Sequence, residues 1–130
     1  MENLDLYRCE ICGNIIEVVL SGGGELVCCG KPMQKMLPQA NEESMQEKHV
    51  PIFLKYDNGE GDIRVGEVLH PMLKEHYIMF IQAISKDKKS SYLKYLSPNE
   101  EPKLSLHNID SYNYAREFCN IHGLWEGKND

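Results

Sequence analysis

The sequence predicts an all-β chain: a small metal-stabilised module followed by a β-sandwich. Three observations carry this. At least six short apolar segments between residues 49 and 125 read as strands, separated by turn residues. No stretch shows a helical apolar stripe. Four of the five cysteines crowd into the first thirty residues, ahead of any segment able to build a core.

In chain order, residues 1–37 read as the module. Ile15 to Leu20 is an apolar strand, Ser21-Gly22-Gly23-Gly24 a tight turn and Glu25 to Cys28 a returning strand. Such a hairpin would carry Cys28-Cys29 back to Cys9 and Cys12. A core this small cannot stabilise itself, and a bound metal can supply what is missing. Residues 38–48, PQANEESMQEK, are polar without a clear period and read as a linker. The sandwich occupies 49–130. Val50, Ile52, Leu54 and Tyr56 alternate on one face of its first strand. Ile63 to Leu69, His76 to Ile84, Tyr92 to Leu96, Leu104 to Leu106 and Tyr112 to Phe118 follow. Asp57-Asn58-Gly59, Lys86 to Ser90 and Ser97-Pro98-Asn99 supply turns between them.

Composition excludes several functions. The 130 residues are 42% hydrophobic and 26% charged, as in soluble globular proteins. A formal charge of −6 argues against nucleic acid, whose phosphates need a basic surface. The longest apolar run, Tyr77 to Ile81, is too short to span a bilayer, and the N-terminus lacks the pattern of a secretory signal. Cytoplasmic residence follows by default. There thiols stay reduced, and cysteines more often bind metal or react than form disulfides.

Two ligand sets stand out. Cys9-x-x-Cys12 places two thiolates on one turn, and fifteen residues separate Cys12 from the pair Cys28-Cys29. Four thiolates fit tetrahedral zinc or iron, and the spacing leaves both open. Adjacent cysteines in an extended segment point apart, so a distorted site is expected. The second set is His49, His70, His76, Cys119 and His122. On a helix His70 and His76 would lie roughly 600° apart, on opposite faces. Pro71 favours a loop instead, which can bring both rings to one ion. Cys119-Asn-Ile-His122-Gly123 is a compact turn. All five lie at strand ends or in loops, where binding residues concentrate. Five ligands leave a position open on a redox metal. His107 has no partner motif.

The segments YRCEICGN (7–14), GGGELVCCG (22–30), EKHVP (47–51), HPM (70–72), EHYI (75–78) and CNIHGLW (119–125) closely resemble desulfoferrodoxins, the two-iron superoxide reductases. The resemblance runs through the whole chain in order. It implies iron in both sites, one Fe(Cys)4 and one Fe(His)4Cys, with a rubredoxin-like N-terminal module and an immunoglobulin-like sandwich. It also implies a homodimer, superoxide as substrate, hydrogen peroxide as product and a rubredoxin-like electron donor. By motif, His49, His70, His76 and His122 would be equatorial ligands and Cys119 the axial one. Glu47 would bind the oxidised iron, and Lys48 would guide superoxide. The competing readings are a zinc-ribbon or electron-transfer module without catalysis, and a dismutase needing no external electrons.

Overall fold

The structure is a computed structural model that describes residues 1–39, 43–68 and 70–130. The chain forms two compact units, Met1–Leu37 and Pro38–Asp130.

The first unit contains β1 (Leu6–Arg8), β2 (Ile15–Glu17), β3 (Val27–Cys28), β4 (Lys31–Pro32) and β5 (Gln34–Lys35). β1 lies between β2 and β5, all antiparallel. β3 pairs only with β4. The expected hairpin between Ile15–Leu20 and Glu25–Cys28 is therefore not formed. Val18 N–H donates to the Asp5 carbonyl and Leu4 N–H to the Val18 carbonyl, so the segment after β2 continues its pairing beside β1 instead. The unit's buried apolar side chains are Leu6, Cys9 and Val18. Three side chains, one of them the small Cys9, are too little core to hold 37 residues, and a bound metal can supply part of what is missing.

The second unit begins with a feature the sequence reading lacks. Part of the stretch read as a linker is α1 (Glu43–His49); residues 40–42 lie outside the described residues. The segment has good helix formers and a basic last turn, but seven residues are too few to show an amphipathic period. Val50 precedes proline and is disfavoured in helix, which ends α1 at His49.

Two antiparallel sheets follow. β6 (Pro51–Lys55), β7 (Gly61–Val65) and β10 (Lys103–Leu106) form one, in the order β10-β7-β6. β8 (Ile78–Ser85), β9 (Ser91–Tyr95), β11 (Tyr112–Cys119) and β12 (Gly123–Lys128) form the other, in the order β12-β11-β8-β9. Ile63, Val65 and Leu104 of the first sheet meet Ile78, Ile81, Ala83 and Ala115 of the second, a three-on-four sandwich of the immunoglobulin-like kind. The second strand ends at Val65, because Gly66 turns the chain at φ +82°; Leu69 lies outside the described residues. β12 is absent from the sequence reading, since GLWEGK carries two glycines and little alternation. Among the described residues no helix is long and apolar enough to cross a membrane.

Candidate metal centres

In the first unit, Cys9 and Cys12 flank a tight turn. Cys9 N–H donates to the Asn14 carbonyl at 2.9 Å, and Gly13 N–H donates to the Cys9 carbonyl at 2.9 Å. Gly13 takes a positive φ of 83°, which closes the loop. The vicinal pair is placed by the β3–β4 turn. Its two residues, Cys29 and Gly30, both have positive φ, 54° and 77°, as a type I′ hairpin requires. Cys28 is thus extended while Cys29 is left-handed. The expected divergence of adjacent side chains does not arise, because it presumes two extended residues. Sγ of Cys28 lies 3.6 Å from that of Cys12 and 3.9 Å from that of Cys29. Four sulfurs about 2.3 Å from one ion lie about 3.8 Å apart at the corners of a tetrahedron, so the set fits a thiophilic ion. Without an ion the thiols burden one another. Backbone N–H donation, chiefly from Cys12, lowers Cys9 to about 6, while neighbouring sulfurs push Cys29 up to about 12.

In the second unit, five ligand atoms converge within 4.8 Å of one another: those of His49, His70, His76, Cys119 and His122. His49 ends α1, while His70 and His76 belong to the loop before β8. Cys119 ends β11 and His122 lies in the turn into β12. The four rings form a closed square. Each neighbouring pair in the order His49, His70, His76, His122 stands edge to face, with centroids 4.6 to 5.0 Å apart. Nε2 of His49 and His70 approach to 3.1 Å. The Cys119 sulfur lies 3.5 Å from His70 Nε2 and 3.9 Å from His122 Nδ1, and it is fully buried.

Hydrogen bonds settle which ring nitrogens face inward. His49 Nδ1 is 2.7 Å from the Met45 carbonyl, and His70 Nδ1 is 2.6 Å from the Pro71 carbonyl. Carbonyls only accept, so both Nδ1 atoms carry the proton and both Nε2 lone pairs point into the cluster. Burial lowers His49 and His76 and takes His70 to about 4, so these rings are neutral near pH 7. His76 Nε2 is buried without a hydrogen-bond partner. Two inward lone pairs and an unpartnered ring nitrogen beside a buried sulfur are costly unless a cation accepts them, and the mixed N/S set suits iron.

Trp125 supports this cluster rather than the thiol directly. Its ring stacks on His49 at 4.9 Å, and its Nε1–H donates to the His122 carbonyl at 3.1 Å. Glu117 is a site feature the sequence reading lacks. It lies opposite Ile81 and Trp125, fully buried, and neither carboxyl oxygen has a hydrogen-bond partner. Burial holds its pKa well above the usual range. A lone glutamate in a strand resembles any surface residue; only its inward position, two residues before Cys119, distinguishes it.

Lys48 is exposed and lines a cleft of about 670 Å3 with His70, Met72 and Leu73. It is near enough to add to the lowering at His49 and His76. Glu47 is also exposed but lines a separate hollow of about 270 Å3 with Val50 and Glu67. His107 lies outside both clusters, paired with Glu60 at 2.9 Å on the surface.

The family model for the N-terminal domain of desulfoferrodoxin matches residues 1–36, and that for desulfoferrodoxin itself matches residues 41–128. The desulfoferrodoxin of Syntrophotalea carbinolica is 43% identical over 127 residues, 98% of each chain. Among solved structures, the superoxide reductase of Treponema pallidum superposes with a TM-score of 0.72 at 26% identity, covering 97% of this chain and 98% of that one. The one-iron superoxide reductase of Giardia intestinalis has a TM-score of 0.51 at 32% identity, covering 65% of this chain and 98% of that one. The cysteine cluster and the histidine–cysteine cluster are the two iron sites of the matched family. With both family models matched in order and both ligand sets assembled, the chain belongs to the desulfoferrodoxin family.

Proposed function

We propose that this chain is a superoxide reductase, adding one electron and two protons to superoxide to give hydrogen peroxide. The observation that carries this is the square of four imidazoles with a buried thiol beside it, all five ligand atoms within 4.8 Å. A purely structural or electron-carrying module needs only the four-cysteine cluster. The relatives named as superoxide reductases support the assignment.

His49, His70, His76, His122 and Cys119 would hold the catalytic iron. Ferrous iron there supplies a single electron and a positive charge for an anionic substrate. An imidazole binds a metal as the uncharged ring, so only the Cys119 thiolate would offset that charge. Burial pushes the Cys119 thiol up, while N–H groups of Ile121 and His122 work the other way and favour thiolate. Lys48 places a cation in the cleft beside His70 and draws superoxide in against the acidic chain. Both protons come from water in that cleft. Glu47, two residues before His49, would offer a carboxylate to the oxidised iron, and it would have to leave the separate hollow it lines to do so. The same reading extends to a cytoplasmic homodimer served by a rubredoxin-like donor, working in detoxification, with neither nucleic acid nor membrane as a partner.

The test is the yield of peroxide per superoxide consumed, with and without a reductant. A reductase gives one peroxide per superoxide and stops when the reductant is exhausted. Sustained turnover without reductant, at one peroxide per two superoxides, would identify a dismutase and overturn the proposal.

A further inference from the structure

We propose that Asn120 is the positioning residue that aims His76 into the histidine–cysteine cluster, an inference resting on the reading of that cluster as the iron centre. The other three histidines have visible anchors. His49 and His70 each bond a carbonyl through Nδ1. His122 shares a turn with Cys119, and Trp125 holds its carbonyl. Among the described residues no group bonds the His76 ring, and its Nε2 is buried and unpartnered. Its direction must come from its backbone.

That backbone is gripped on both sides by one residue. Tyr77 N–H donates to Asn120 Oδ1 at 3.0 Å, and Asn120 Nδ2 donates to the Glu75 carbonyl at 3.0 Å. Asn120 N–H donates to the Tyr77 carbonyl at 3.3 Å. The N–H and carbonyl of His76 itself pair with Leu73, at 3.1 and 2.9 Å. Every backbone polar group from Glu75 C=O to Tyr77 C=O is thereby accounted for.

The chemistry requires this side chain. One flank of His76 presents a donor and the other an acceptor. A primary amide answers both within a single planar group; a carboxylate answers only the donor, and an aliphatic side chain answers neither. The partners also fix the orientation of the amide, since Tyr77 N–H must donate and the Glu75 carbonyl must accept. Asn120 follows Cys119 directly, so one residue ties the thiol to a ring 43 positions away in sequence. Ligand geometry of this kind depends on such outer contacts.

The experiment compares iron-loaded parent, Asn120→Leu and Asn120→Asp, each also in a His76→Ala background. It reads the rate of iron loss from the histidine–cysteine centre to a chelator and the thiolate-to-iron absorption of that centre. Losing the clamp should speed iron loss about tenfold in Asn120→Leu, since each net hydrogen bond is worth roughly 3- to 10-fold. Asn120→Asp, which keeps the acceptor for Tyr77, should fall between. The absorption should shift, and that of the four-cysteine centre should not. In the His76→Ala background, Asn120→Leu should add less than about twofold, because the two residues act as one unit. An equal increment in both backgrounds, or none in either, would overturn the role of Asn120 while leaving the iron centre standing. A parent unable to hold iron in the histidine–cysteine cluster would overturn both readings. If Asn120→Leu does not fold, the aspartate variant alone decides: iron loss unchanged from the parent refutes the clamp.

Discussion

At the scale of single residues, position relative to the cluster separates chemistry from decoration. Lys48 and Lys74 are both exposed lysines near proposed ligands, yet Lys48 lines the cleft with His70 and perturbs two of the rings. Replacing it with alanine should slow the bimolecular reaction with superoxide roughly 10-fold at low ionic strength, and should flatten the salt dependence, while iron content stays unchanged. Pulse kinetics at several salt concentrations check this; parental rates throughout would make Lys48 a solvated neighbour. Glu117 yields a pH prediction for the metal-free chain. Its folded pKa is raised, because burial disfavours the carboxylate. At low pH both states are protonated and the group contributes nothing. As pH rises past the ordinary glutamate range, the unfolded chain releases its proton and the folded chain retains it, so stability falls. Glu117→Gln removes this titration. Above the ordinary glutamate range the variant should gain stability relative to the parent, the gap widening by up to about 1.4 kcal/mol per pH unit until the folded carboxyl itself ionises. Denaturant melts at several pH values provide the comparison, and parallel curves would show that Glu117 does not titrate this way.

At the scale of elements, the site depends on how α1 is held. Gly66, at φ +82°, lies so near the end of α1 that a Cβ would sit 2.5 Å from the Lys48 carbonyl oxygen. That close approach fits the seam where Gly66 N–H meets the Val50 carbonyl and Val68 N–H meets that of Glu47. Gly59 has the similar φ of +85° with nothing within 4 Å. Both Gly→Ala changes incur the left-handed penalty of about 1–2 kcal/mol. Only Gly66→Ala also displaces α1. It should cost at least about 1 kcal/mol more than Gly59→Ala and should weaken metal binding at the histidine–cysteine cluster, measured by thermal melts and metal titration. Equal effects would mean that α1 tolerates displacement. The helix also explains an omission in the sequence reading. Seven residues in a polar stretch present no period, and their helicity comes from docking at this seam and from His49 reaching the cluster.

At the scale of the molecule, the two units divide the metal chemistry. All four N-terminal cysteines precede residue 30, and every ligand of the second cluster follows residue 48. Cys12→Ser should therefore strip or disorder metal in the first unit, yet leave rapid oxidation of the ferrous histidine–cysteine centre by superoxide largely intact. The one-iron superoxide reductase matched over 65% of this chain is consistent with that division. Loss of the fast step while the second iron is still bound would show that the two units are coupled.

The sequence by itself marked the cysteines and His122 as candidate ligands, because Cys-x-x-Cys, the vicinal cysteines and the Cys-x-x-His turn are local patterns whose chemistry survives without knowledge of the fold; His49, His70 and His76 form no such pattern, and their place beside Cys119 rests on the family resemblance and on the fold that brings them together. It also determined the sandwich, because short strand-length segments recur between turn residues and alternation of the kind in Gly61–Val65 is imposed by which face is buried; in Pro51–Lys55, apolar on both faces, only the fold shows that Pro51 and Phe53 face the core. Only the tertiary structure decided the pairing inside the first unit, where two- and three-residue strands are too short to declare their partners. The helix under His49 and the buried Glu117 likewise depend on neighbours distant in the chain. So does the clamp of Asn120 on the flanks of His76: an asparagine beside a cysteine carries no mark of the strand end it will hold, since its partners are backbone groups, which every residue possesses.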